Sequence, residues 1–222
     1  MFDAVIFDWD GTLADTKDVI VLSFQTVLKE IGCMVSNEFL EKRIGVGVRN
    51  MLIAALDLSS MPHDDGVLDA LVEEKNRMHA QLSDRIEMFD GAADLLASLH
   101  GQLKVALATM SNRSVIDKLL WEKGIGKYFD LVITANDVRQ PKPHPEVFLK
   151  SAVKLHCHPS KCVVVEDSVF GVIAAKNADM KCIAIVSGAY TASELTEGGA
   201  DLIVNSLTET QEILDYIFTS ES

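Results

Sequence analysis

Ala4-Val5-Ile6-Phe7-Asp8-Trp9-Asp10-Gly11-Thr12 is an apolar run that breaks into two acids and a glycine. Val and Ile in an uninterrupted apolar stretch read as a strand buried on both faces, and Asp-Trp-Asp-Gly reads as the turn that ends it. Runs of the same kind recur at 103–108, 131–134, 162–165 and 182–186. Their two-sided apolar character suits a parallel sheet covered on both faces. Apolar residues at helical spacing lie between and after them: Ile116, Leu119 and Leu120; Val147, Phe148, Ala152 and Leu155; Val169, Val172, Ile173 and Ala174; and finally Ile213, Leu214 and Ile217. Strand–helix alternation from about residue 90 onward implies right-handed βαβ units and a doubly wound parallel α/β sheet.

The stretch 15–87 differs. It holds no convincing strand. Ile20, Phe24, Val27, Leu28 and Ile31 form one amphipathic helical face, and Leu68, Leu71, Val72, Met78 and Leu82 form another. Shorter helices are expected at 38–43 and 49–56. An all-helical segment inserted after the first strand reads as a separate cap domain over residues 15–87. The α/β core then comprises 1–14 and 88–222, with the chain crossing near 13–16 and 88–91. There are no internal repeats and no low-complexity tract.

A chain of 222 residues can bury a proper core. Its formal net charge of −13 disfavours nucleic acid and anionic membrane surfaces as partners. The same charge puts a demand on any phosphate site, which must gather positive potential locally from a cation, a Lys or Arg, and backbone N–H groups. Cys33, Cys157, Cys162 and Cys182 include no C-x-x-C pair and read as reduced thiols, three of them in or near the core. Met1-Phe2-Asp3 carries no basic leader and no apolar stretch approaches membrane-spanning length, so a cytoplasmic protein is expected. Disorder is expected only over 219–222.

Four segments carry chemistry, each just past the end of an expected strand, where open α/β sheets bind ligands. In Asp8-Trp9-Asp10-Gly11-Thr12, two close carboxylates repel unless a cation or a shared proton offsets them. Gly11 permits close backbone approach, and neighbouring N–H groups can cradle a phosphate. An ordinary polar turn is the alternative. An EF-hand loop is excluded, because the glycine stands fourth rather than sixth and no Glu follows at the twelfth place. Thr109-Met110-Ser111-Asn112 offers hydroxyl and amide groups that suit phosphate oxygens or the cap of a helix starting near Arg113. In Gln140-Pro141-Lys142-Pro143-His144-Pro145, alternating prolines stiffen an extended loop that holds Lys142, which otherwise reads as solvated. Val163-Val164-Val165-Glu166-Asp167-Ser168 again runs an apolar strand into paired acids, and Ser168 or Asp167 equally suits a helix cap. Hard oxygen ligands from Asp8, Asp10 and Asp167 suit Mg²⁺. Lys142, the metal and the first turn's backbone would supply the positive charge that the global balance lacks.

In order and spacing, Asp8-Trp9-Asp10-Gly11-Thr12, Thr109, Lys142 and Glu166-Asp167 resemble the four motifs of the haloacid dehalogenase-like superfamily of phosphohydrolases. Val5-Ile6-Phe7, Lys142-Pro143 followed by Glu146-Val147-Phe148, and Glu166-Asp167-Ser168 followed by Gly171 extend the likeness over the whole chain. The helical insert resembles the cap of the phosphoglycolate phosphatase and β-phosphoglucomutase-like branch, on a Rossmann-like core. The resemblance implies a phosphatase that hydrolyses small phosphomonoesters, with phosphoglycolate or a sugar phosphate the best guess. Asp8 is then the nucleophile that forms an aspartyl-phosphate, and Asp10 the general acid and base. Thr109 and Lys142 hold the phosphoryl group. Mg²⁺ is held by Asp8, the Asp10 carbonyl and Asp167, with Glu166 supporting the metal shell. Gly11, Thr12, Ser111 and Asn112, with Arg49 and Lys75 of the cap, are the candidate substrate and phosphate contacts. An acid two residues after the nucleophile favours an alkoxide leaving group, which needs a proton, over a halide, which does not.

The likeness has departures. The mutase branch carries a histidine on the first cap helix where this chain has Ile20, which favours a hydrolase over a sugar-phosphate mutase. Pro141 stands where a small residue is usual, and Asp179 where glycine is usual. A non-catalytic relative that binds phosphate ligands is the third alternative. His156-Cys157-His158 with Cys162 matches no common zinc spacing and is read as structural. Met51, Met61 and Met78 read as core or pocket wall. Lys42, Arg43, Arg49, Lys75 and Arg77 read as solvated helix charges, of which one or two facing the crevice could attract a substrate carboxylate or second phosphate, and Trp9 as packing behind the acids. The expected partner is a small phosphorylated metabolite, on a monomer or homodimer.

Overall fold

The computed structural model describes residues 1–219. Among these, the strands are β1 (Ala4–Phe7), the two-residue β2 (Ala14–Asp15) and β3 (Glu87–Met88), β4 (Lys104–Ala108), β5 (Leu131–Ile133), β6 (Cys162–Glu166), β7 (Lys181–Ile185) and β8 (Leu202–Val204). The helices are α1 (Lys17–Glu30), α2 (Asn37–Glu41), α3 (Val48–Leu58), α4 (Asp65–Leu82), α5 (Ala92–Leu99), α6 (Arg113–Glu122), α7 (Glu146–Leu155), α8 (Val169–Asn177), α9 (Ala192–Glu197) and α10 (Thr210–Thr219).

The main sheet is parallel, in the order β5-β4-β1-β6-β7-β8. β1 lies between β4 and β6, with Phe7 opposite Leu107 on one side and Val165 on the other. Successive side chains leave opposite faces of a strand, so β1 feeds two layers. Val5 and Phe7 pack with residues of α5, α6 and α10, while Ala4 and Ile6 pack with residues of α7, α8 and α9. This is the two-sided burial that the uninterrupted apolar runs require, on a doubly wound α/β sheet. Chain order reverses between β1 and β6, which opens the crevice beyond their C-terminal ends.

Helices α1 to α4 bury a third apolar cluster, in which Phe24, Leu28, Leu52 and Leu56 are almost fully enclosed. Ser36 and Asp64 cap α2 and α4 by accepting from Phe39 N–H and Val67 N–H at 3.1 and 2.9 Å. The chain enters and leaves this segment through the antiparallel β2–β3 ribbon. A second tie joins it to the core from the side. Lys42 Nζ lies 2.7 Å from Glu194 Oε1 and 4.5 Å from the centre of the Tyr190 ring, and Tyr190 O–H donates to Lys42 C=O at 2.5 Å.

Several elements differ from the expectations. The ribbon and β8 are not among the expected elements, because two or three residues give no measurable period, and neither are the short helices α5 and α9. Thr219 closes α10 instead of starting a disordered tail, as its side chain bonds back to Asp215 C=O; the rest of that expected tail, 220–222, lies outside the described residues. Asp179 does occupy the left-handed region, at φ 58°. Cys33, Cys162 and Cys182 are buried and Cys157 is half-buried. No described helix is long and apolar enough to cross a membrane.

Candidate active site

Asp8 follows β1 directly, and its N–H still donates to Val165 C=O at 3.0 Å, so the ladder carries it one residue past the strand. The chain then turns sharply. Gly11 has φ +84°, and the N–H groups of Gly11 and Thr12 are committed within the turn to Ala14 C=O and Trp9 C=O. Trp9 is fully buried behind the acids. Gly11 and Thr12 therefore serve Asp167: a Cβ at Gly11 would lie 2.2 Å from Asp167 Oδ2, and Thr12 O–H donates to Asp167 Oδ1 at 3.1 Å.

Lys142 is not a solvated loop lysine. Its side chain is wholly buried, and Nζ donates to Asp8 Oδ1 and Glu166 Oε1, each at 2.6 Å. The other oxygen of Glu166 accepts from the N–H groups of Asp167 and Ser168, both at 2.9 Å, and from Ser168 O–H at 3.0 Å. Glu166 thus clamps the β6–α8 turn and orients the lysine. Burial by itself would lower the Lys142 pKa, but Asp8 and then Glu166 outweigh it and hold the ammonium well above its ordinary value.

Oxygen atoms of Asp8, Glu166 and Asp167 lie within 4.8 Å of one another, all buried. Three carboxylates here share one ammonium. Burial, foremost, and mutual repulsion push Asp8 and Asp167 well above the usual carboxylate range. An all-oxygen set with excess negative charge fits a hard divalent cation, which offsets both effects. The surrounding backbone is cleared for it: a Cβ at Gly188 would fall 2.0 Å from Asp167 Oδ2. The donor set therefore fits Mg²⁺.

Asp10 faces the other way. Its Oδ2 accepts from Ser111 O–H at 2.6 Å and from Thr109 O–H at 3.3 Å, while Oδ1 is buried and has no hydrogen-bond partner. Thr109 also accepts from Ser111 N–H at 3.0 Å, so the turn after β4 is organised around Asp10. Asp10 and Ser111 line a small cavity with Lys75, Ile20, Phe24 and Met51 of the helical segment. Beside it, sharing Gly47, Val48 and Met110, opens a cleft of about 310 Å³ between Arg49 and Asn76 on one side and Asn112 and Arg139 on the other.

The fold thus brings Asp8, Asp10, Thr109, Ser111, Lys142, Glu166 and Asp167 together, with Lys75 above them. Arg49 and Asn112 stand apart, on the wider cleft. Arg49 pairs with Asp65 and Asp69 of α4, and the Asn112 side-chain oxygen Oδ1 caps α6 by accepting from Ser114 N–H at 3.0 Å. Sequence reasoning missed Ser187, whose O–H donates to Gly11 C=O at 2.5 Å, and Gly188. Both follow β7, so the strand-end rule that found the four motifs extends to them.

Residues 5–185 match the family model described as haloacid dehalogenase-like hydrolase. The chain is 31% identical over 183 residues to a fructose-1-phosphate phosphatase of Escherichia coli, covering 82% of this chain and 95% of that protein. It is 30% identical over 224 residues to a phosphorylated carbohydrates phosphatase of Thermotoga maritima, covering 97% and 98%. Among solved structures, a β-phosphoglucomutase of Clostridium difficile superposes with a TM-score of 0.88 at 26% identity, covering 98% of this chain and 97% of that one.

Proposed function

The chain belongs to the haloacid dehalogenase-like hydrolase family, and from that premise we propose that it is a Mg²⁺-dependent phosphatase of small phosphomonoesters. One observation carries this reading: a nucleophile-grade carboxylate clamped by a buried ammonium, Asp8–Lys142, beside a second carboxylate with a free buried oxygen, Asp10.

Asp8 attacks phosphorus through the oxygen that Lys142 does not hold. An O–P bond forms as the bond from phosphorus to the leaving alcohol breaks, giving an aspartyl-phosphate. Asp10 Oδ1 delivers the proton that the departing alkoxide needs, then takes one from the water that attacks the intermediate. Lys142 holds Asp8 in one orientation and meets negative charge on the phosphoryl oxygens. Ser111 and Thr109 keep the Asp10 carboxylate turned toward the cavity. Asp8, the Asp10 carbonyl and Asp167 would hold Mg²⁺, with Glu166 orienting Asp167 through its N–H. When bound, the metal supplies the positive charge that offsets repulsion between Asp8 and the phosphate.

Residues 15–87 act as a cap on the core of 1–14 and 88–222, closing over the substrate to exclude water. Lys75, and Arg49 at the wider cleft, contact the leaving group. The named activities of the Escherichia coli and Thermotoga maritima relatives support a phosphorylated carbohydrate as substrate, with phosphoglycolate the smaller candidate. We read the protein as cytoplasmic. The mutase reading rests on the Clostridium difficile likeness, and Ile20 in the cavity wall speaks against it.

Phosphate release from a panel of phosphorylated metabolites with Mg²⁺ tests the proposal. Loss of about a thousandfold or more in Asp8→Asn is expected. Equal activity in that variant would overturn the mechanism. Conversion of β-glucose 1-phosphate to glucose 6-phosphate without phosphate release would select the mutase.

A further inference from the structure

On α4 a buried lysine and a buried histidine stand one turn apart, and nothing in the mechanism above uses the histidine. Lys75 Nζ lies 3.1 Å from His79 Nδ1. Both residues are almost wholly enclosed, at 3% and 2% exposure. The ammonium also sits 5.0 Å from the centre of the Phe24 ring, and Lys75 borders the cavity that Asp10 and Ser111 line from below. Among the described residues no carboxylate forms an ion pair with Lys75. The cation is thus held by a neutral ring and an aromatic face, with its remaining donor capacity directed at the cavity.

We infer that His79 is a positioning residue: its Nδ1 receives the Lys75 ammonium and fixes that cation over the Asp10 cavity, where it meets the leaving group. The inference rests on the phosphatase reading for its consequence and on geometry for its substance. An ammonium has only donors, so Nδ1 must be the acceptor and the ring proton must sit on Nε2. His79 Nε2 is buried without a partner, which is a cost to the fold that an apolar residue of the same shape would avoid. The use of Nδ1 accounts for a polar ring at this position. A lysine has a long flexible stem that must be ordered to act at one point. Its neighbour four residues on projects from the same helix face and is locked by burial, so the acceptor stands ready before substrate arrives.

The pair carries its own electrostatic limit. Burial, and then the Lys75 charge, hold the His79 pKa well below its ordinary value, so the ring stays neutral and able to accept at neutral pH. The charged group that faces Lys75 is Asp10 from the core, and the one that faces His79 is Lys75.

The test uses the full-length protein. Histidine ¹⁵N spectra at neutral pH should report His79 as the Nε2–H tautomer, with Nδ1 shifting when Lys75→Met removes the donor. An Nδ1–H tautomer, or no change in Lys75→Met, would overturn the inference whatever the activity. In kinetics, 2-phosphoglycolate and fructose 1-phosphate serve as probes and the faster is used. His79→Leu should raise KM about tenfold with kcat nearly unchanged, the signature of lost uniform binding. His79→Asn, whose side-chain oxygen falls near the Nδ1 position, should restore most of the loss. In a Lys75→Met background His79→Leu should add nothing further. An equal loss in both backgrounds would make His79 merely structural. If His79→Leu does not fold, the spectra of the wild type and Lys75→Met and the kinetics of His79→Asn still decide. Absence of phosphate release by the wild type from any substrate would sink the phosphatase reading alone, leaving the nitrogen spectra to judge His79.

Discussion

Lys142 donates to Asp8 Oδ1 at 2.6 Å from a side chain with no exposure to solvent, across 134 positions of chain. The lysine is bonded equally closely to Glu166, so the two partners respond differently to removal. Lys142→Met leaves two buried carboxylates without their cation, and loss of one member of a buried pair costs about 3–5 kcal/mol. Asp8→Asn leaves the lysine still paired with Glu166 and relieves carboxylate repulsion. Both variants should be inactive, but only Lys142→Met should show a large drop in urea midpoint. Equal midpoints would mean that the buried pairing does not support the fold.

Gly188 borders the carboxylate that the metal reading depends on. A Cβ there meets the movable end of Asp167, at 2.0 Å from Oδ2, and no backbone atom is among its nearest contacts. Gly188→Ala should therefore fold normally while displacing that oxygen. The Mg²⁺ concentration for half-maximal activity should rise about tenfold or more. Thermal protection by Mg²⁺ alone, measured without substrate, should shrink in parallel and vanish in Asp167→Asn. Unchanged protection in Asp167→Asn would remove Asp167 from the metal site.

Lys75 brings a pH limb to substrate binding. Burial pulls its pKa down to about 8, against an upward pull from Asp10. The ammonium is the binding form, and its population falls as pH rises through that value. KM should therefore climb above about pH 8, while Lys75→Met should show a raised KM already at pH 7 and no such limb. A wild-type KM that stays flat to pH 9.5 would exclude a titrating Lys75 from the binding site.

The tie between Lys42 and the core should restrain opening of the helical segment. It combines an ion pair to Glu194, a ring contact and a hydrogen bond from Tyr190. The ion pair is half exposed and weakens with salt. Hydrogen exchange over residues 42–46 should accelerate several-fold in Tyr190→Phe/Glu194→Gln, and the wild type should approach that behaviour in 1 M salt. Identical exchange in variant and wild type would show that this contact does not hold the segment closed.

Much of the arrangement was legible in the chain because its signals are local. Apolar runs of two-sided character located β1, β4, β5, β6 and β7 to within a residue or so, and acids or hydroxyls at their ends marked the crevice. Lys142 stands out through the prolines around it and its motif position, but not as a buried group, since a loop lysine carries no sign of burial. His79 gave no signal at all. A histidine at helical spacing is indistinguishable from a core residue until its neighbour's ammonium is seen. Arg49 shows the converse: the resemblance marks it as a substrate contact, and nothing in the residue pattern announces that Asp65 and Asp69 of α4 also pair with it.

The sequence by itself determined the parallel α/β sheet, the helical insert and the identity of the acids, because strand period, turn chemistry and motif spacing are properties of neighbouring residues. Only the tertiary structure decided that Lys142 is buried between Asp8 and Glu166, that Gly11 and Gly188 make room for Asp167, and that Lys75 leans on His79. The Lys75–His79 contact lies within one helix and only its burial is tertiary; the others depend on strand order and crossover packing, which bring Lys142 to 2.6 Å from Asp8 across 134 positions. No local pattern encodes a distance of that kind.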